Sequence, residues 1–465
     1  MQAKHYFVLM MLFTLVPAGI MRAKKDQFFR DVCFFLLVLG TIHHYLVGIH
    51  FISREWYRGT TLGIEVCWLD FLWMILLGDE LRNKRRGRAG MPTGTSVMIL
   101  YIVYCIINVL LNEPKLFGFF EITKQLRGLG LFLAVAFHVK GERELRTFAY
   151  ALAVALSLES VIALKTRLQG NERAPGTFAH ANTLSMYNLT AVPVIAAIGM
   201  SNVNPRLRML ATFGAICGSV SVILSISRAG LVTLIVVWAV LGQLCGAFKI
   251  TPKKIAVAFA VILACIPVAM KVLPNFQKRM GAEKGMAEEF GGSKTEGRAV
   301  YITLAKIIEA DRPLGCGLNN WSYCVTNRYA PEVGQQYIPY LNTDDPPSDR
   351  GTLKKVDSPQ APPGHSLYAI TLGETGWIGV ILLANVWIRW YRLATPFLWK
   401  RSDEMISRLG TGLVIGFFGS TMQNISEWEF RQTPMWFLVH ILAGVAAAIY
   451  PVRPEVMARR ARQAA

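Results

Sequence analysis

Charged side chains are scarce in this chain, at 17% of 465 residues, where a soluble domain carries about 25%. Apolar runs of about 17–22 residues recur along the whole length, which excludes one buried core and points to a bundle of spanning helices. Acidic residues are fewer still: 30 Asp and Glu face 49 Lys and Arg, a net charge of +19. No small-residue cleavage site follows the apolar stretch in 1–21, so the expectation is no cleavable signal peptide. No CxxC or His/Cys cluster suggests a metal, and no cofactor is implied. No internal repeat of roughly 20–50 residues is visible, which argues against solenoids and repeat-built transporters.

What is present is a polytopic all-α membrane protein, with a mean hydropathy of +0.37. Spans are expected near 6–21, 32–51, 60–78, 96–111, 122–139, 147–164, 182–201, 209–226, 229–247, 255–272, 366–388, 407–424 and 434–450, making twelve or thirteen crossings. Pro17 weakens the first. One set of alternate connections, including 79–90, 139–146 and 389–408, holds 26 Lys and Arg; the other, including 52–60, 112–121 and 425–433, holds 8. Basic loops stay cytoplasmic, so the first set is inside. The positive charge is thereby topology, and no nucleic-acid partner is expected.

The division that follows is an N-terminal transmembrane bundle (1–272), one long periplasmic loop (273–364), C-terminal transmembrane helices (365–450) and a basic cytoplasmic tail (451–465). Within the loop, 278–296 is rich in glycine and charge. Apolar residues at helical spacing predict an amphipathic helix over 298–310. Residues 313–321 form a turn-rich stop, and 342–363 read as a Pro-rich flap. Cys316 and Cys324 either pair as a disulfide or pack as two thiols. Asp344 and Asp345 read as a solvated acidic pair rather than a metal site.

Cations on the outer face oppose the positive-inside bias, so each needs a reason. Arg228, Arg127, Lys124, Arg173 and Arg298 all fall there. Singly, each reads as a side chain reaching lipid phosphate. Together they suggest an anionic ligand, and a lipid-linked diphosphate suits the planar guanidinium fork. His365 sits between the flap and a span, and an imidazole is the side chain best suited to take a hydroxyl proton at neutral pH. The alternative is an interfacial histidine capping the next helix, and His180 carries the same ambiguity. Glu374, an acid within a span, is expected to pair, orienting either His365 or an arginine.

Several stretches in order resemble the O-antigen ligase/polymerase superfamily: 176–182 (GTFAHAN), Ser227-Arg228 opening a span, Arg298 leading to 313–319 (PLGCGLN), and His365-Ser366-Leu367 followed by 372–376 (LGETG). The resemblance covers most of the chain from about residue 120 onward. Members of that family often carry His-Asn where this chain has His365-Ser366. The resemblance implies a metal-independent, inverting membrane glycosyltransferase of the bacterial inner membrane, its active site facing the periplasm. Its donor would be an undecaprenyl-diphosphate-linked glycan and its acceptor lipid A–core. Arg228 and Arg298 would grip the diphosphate and His365 would act as base, with His180, Asn182, Asn319 and Glu374 in support. A repeat-unit polymerase and a protein O-oligosaccharyltransferase share the donor logic. A transporter or flippase for lipid-linked polyanions is the rival from another class.

Overall fold

A computed structural model describes residues 3–82, 90–245, 299–340, 360–398 and 402–452. The expected span 255–272, the 278–296 stretch, Arg298, Asp344, Asp345 and most of the flap lie outside them. Among the described residues there are fourteen α-helices and one two-stranded sheet.

In chain order the helices are α1 (Ala3–Lys25), α2 (Gln27–Leu39), α3 (Trp68–Arg82), α4 (Thr95–Leu111), α5 (Lys115–His138), α6 (Glu142–Leu168) and α7 (Ala181–Gly199). There follow α8 (Pro205–Ser225), α9 (Arg228–Cys245), α10 (Ala299–Asp311), α11 (Trp321–Cys324), α12 (Leu367–Ala394), α13 (Met405–Ser426) and α14 (Thr433–Ile449). Among the described residues, seven segments are long and apolar enough to cross a membrane, matching α1, α6, α7, α8, α9, α12 and α14; α4 is apolar but shorter. The chain is thus a predominantly helical, multi-pass protein.

Two expected spans are corrected. Residues 32–51 begin in α2, but Gly40 ends it, His43 is non-helical, and the chain continues as strand β1 (Gly48–Ser53). Residues 60–78 open as strand β2 (Gly63–Cys67), antiparallel to β1, before α3 starts at Trp68. β-branched residues in GIHFIS and GIEVC favour the pleated form, so apolar content alone misreads them as helix. The loop helix expected over 298–310 is observed as α10.

Helix starts follow local chemistry. Asp26 accepts from the Phe29 amide at 3.1 Å, Asn204 from Leu207 at 2.7 Å, and Ser366 from Ala369 at 3.4 Å. α7 is buried almost throughout and lies against α8 and α13. The close approach rests on small residues of α13: a Cβ at Gly412 would lie 2.8 Å from the Pro193 carbonyl, and one at Gly419 2.7 Å from that of Leu189. Without a hydrophobic drive between helices in lipid, such backbone contact is what holds them. α14 is similarly enclosed and packs along α5.

The device that positions the 313–319 loop is a break in α12. Gly376 sits at φ 62°, ψ −172°, a region only glycine occupies readily. The freed carbonyls find partners in the loop stop and in α4. Cys316 N donates to Gly373 O and Gly317 N to Glu374 O, each at 2.9 Å. Tyr104 donates to Thr375 O at 2.6 Å. Asn108 donates to Leu314 O at 2.7 Å and accepts from Leu318 N at 2.8 Å. The break is tolerated because the carbonyls of Gly373, Glu374 and Thr375 are satisfied within protein. Cys316 and Cys324 are both buried and unbridged.

Candidate functional site

The residue before α12 decides the site. His365 is held in the turn just ahead of the Ser366 cap, and the Leu367 amide donates to the Glu427 carbonyl at 2.9 Å, joining the start of α12 to the end of α13. This brings His365 Nδ1 to 3.0 Å from Glu427 Oε2. The other carboxylate oxygen accepts from the Asn182 amide at 2.8 Å. Arg173 donates to Asn182 Oδ1 and, through Nε, to the Ser225 carbonyl at 3.0 Å. A chain of four side chains thus runs from guanidinium through amide and carboxylate to imidazole. Thr183 donates to Gln432 at 2.6 Å, tying the start of α7 to the same α13–α14 turn.

All four side chains line one cavity of about 650 Å³. Its further wall is the 58–63 turn with β2, and Pro362 and Pro363 close part of its rim. The Glu427 side chain is 5% exposed and that of His365 41%, so the carboxylate is sheltered while the imidazole remains reachable. A carboxylate can only accept, so the imidazole proton sits on Nδ1 and the Nε2 lone pair is left for a ligand. The Tyr301 ring, 5.6 Å away, packs beside the imidazole.

Of the residues expected from sequence, the cavity gathers His365, His180, Asn182 and Arg173. Arg127 and Lys124 do not line it. Arg127 donates to Asp70 at 2.7 Å and pairs with Glu65 at 3.4 Å, with its guanidinium over the Phe437 ring. Lys124 is buried and donates to the Arg431 carbonyl. Both charges are engaged inside the bundle, where a cation without such partners would be very costly. Glu374 settles on an arginine rather than on His365: it forms a buried ion pair with Arg431 and accepts from the Trp321 amide at 3.1 Å. Asn319 is wholly buried and braces the cavity wall, accepting from Thr60 N at 2.8 Å and donating to Thr61 O at 2.8 Å. Arg228 opens α9, three residues beyond the Ser225 that holds Arg173, and is not among the cavity-lining residues.

Among the lining residues that the sequence did not single out are Glu427, Arg58 and Arg431. Arg58 donates to the Gln360 carbonyl at 3.1 Å. Burial opposes the Arg431 charge, but Glu374 and then Glu121 outweigh it and hold the guanidinium above its ordinary value. Both arginines lie in the cation-poor loops, so the charge-bias argument applied to Arg228 would have reached them. No family model matches the chain, and no curated protein matches it.

Proposed function

We propose that the cavity is the active site of a membrane glycosyltransferase of the O-antigen ligase kind, moving an undecaprenyl-diphosphate-linked glycan onto lipid A–core at the periplasmic face of the bacterial inner membrane. The observation that carries this reading is the His365–Glu427 pair, opening into a cavity that Arg58 and Arg173 also line. In the reaction, His365 Nε2 takes the proton of an acceptor hydroxyl. The oxygen then attacks the anomeric carbon from the face opposite the diphosphate, the bond to the diphosphate oxygen breaks, and configuration inverts. Glu427 holds the ring in the required tautomer and stabilises the imidazolium, the role a buried carboxylate plays beside a histidine base. Charge developing on the leaving diphosphate falls to the guanidinium groups, the electrostatic contribution that is usually largest. The family resemblance adds Arg228 and Arg298 to the diphosphate grip, although Arg228 does not line the cavity.

Incubating the purified protein with labelled donor lipid, with and without lipid A–core, tests this. The expected product is label on lipid A–core. Chain extension from donor alone would make it a repeat-unit polymerase, and movement of donor across vesicles without covalent transfer would make it a flippase.

A further inference from the structure

Beyond the His365–Glu427 pair, the same cavity is lined by residues with polar atoms that find no hydrogen-bond partner among the described residues. His50 and Glu65 are register partners on β1 and β2, so their side chains share a face, with Cβ atoms about 4.5–5.5 Å apart. Both line the cavity, as does Arg431 from the α13–α14 turn. Glu65 uses Oε2 on Arg127 at 3.4 Å, and its Oε1 is buried with no partner among the described residues. Arg431 uses Nη1 on Glu374, and its Nη2 is likewise buried and unpartnered. His50 Nδ1 completes the set. Glu65 is 8% exposed and Arg431 1%, so bulk water does not satisfy them.

Buried polar atoms are almost always hydrogen-bonded, so three unpartnered ones on residues lining a single cavity call for an explanation. The chemistry of the set restricts its occupant. Glu65 Oε1 accepts only and Arg431 Nη2 donates only. A phosphate could satisfy the arginine but has no proton to offer the carboxylate, and their like charges repel. A hydroxyl donates and accepts at once, and adjacent ring hydroxyls meet both demands.

From this, resting on the glycosyltransferase reading, we infer that His50, Glu65 and Arg431 form a subsite for the hydroxyl groups of a pyranose ring, separate from the groups that hold the diphosphate. The ring is either the donor sugar next to the diphosphate or the acceptor sugar of the core. Its recognition sets which sugar is accepted, while the His365 side of the cavity performs the transfer.

Equilibrium binding to the purified full-length protein in nanodiscs decides it, using two pairs of probes. One pair is undecaprenyl diphosphate, bare and bearing N-acetylglucosamine; the other is lipid A, without and with core sugars. Wild type should prefer the glycosylated member of at least one pair. Glu65→Gln, which keeps the size of the side chain and leaves Arg127 its Asp70 partner, should reduce that preference by about tenfold or more. Binding of the bare member should stay unchanged. Loss in the first pair assigns the subsite to the donor sugar, loss in the second to the acceptor. His50→Phe reads the same wall if Glu65→Gln does not insert, with an expected reduction of about threefold to tenfold. Preference retained in both variants would mean the three atoms are merely hydrated, and the subsite would be wrong while the catalytic reading stood. Wild type that binds neither pair would overturn both.

Discussion

Glu427 accepts hydrogen bonds from Asn182 and His365 at once, and that double duty is what an amide cannot reproduce. In Glu427→Gln the side-chain NH₂ must face one of them, and facing His365 it forces the imidazole proton onto Nε2, where the lone pair is needed. Transfer should fall about 10²-fold or more while the protein folds and inserts as before, measured as initial rate in detergent. A variant with full activity would remove Glu427 from the mechanism. His365 and Arg173 were legible because each stands out by residue type and sidedness. Glu427 was not, because an acid at a span end resembles any solvated terminus until the fold brings α12 against α13. Lys124 and Arg127 show the converse: a cation read as outward is satisfied inside by Asp70, Glu65 and the Arg431 carbonyl, partners that no local pattern announces.

At the level of elements, the join between the 313–319 loop and the break in α12 holds the two in register. A Cβ at Gly376 would strike the Pro313 carbonyl, and the backbone conformation there strains any other residue by roughly 1–3 kcal/mol. Gly376→Ala should therefore lower the thermal stability of the purified protein and reduce transfer together. Unchanged stability would show that the loop does not depend on this glycine. The 313–319 and 372–376 stretches were legible as motifs but not as each other's complement. Helical spacing runs straight through Gly376, and only the docked loop reveals that the carbonyls of residues 373–375 point away from the helix ladder. The same reliance on apolar content turned β1 and β2 into spans, although their β-branched residues and the Gly40 stop offered a signal that composition overrode.

For the whole molecule, sidedness links the fold to its chemistry. The charge bias predicts 139–146 inside and 112–121 outside. Glu113 has a side chain 73% exposed and Glu142 one 55% exposed, while the chain's own cysteines among the described residues are buried or half-buried. Glu113→Cys should react with a membrane-impermeant maleimide on intact spheroplasts, and Glu142→Cys only after permeabilisation. The reverse pattern would turn the cavity toward the cytoplasm and end the ligase reading. The predominantly helical, multi-pass class and helix α10 follow from hydropathy and spacing, whereas a cavity assembled from β2, the α7 start, the α12 start and the α13–α14 turn depends on contacts between residues hundreds of positions apart. The most direct test of the His365 base is single-turnover transfer of a labelled lipid-linked glycan to lipid A–core by wild type and His365→Ala. The expected result is a loss of about 10²- to 10⁴-fold with donor binding retained; transfer at the wild-type rate by a folded, inserted variant would contradict it.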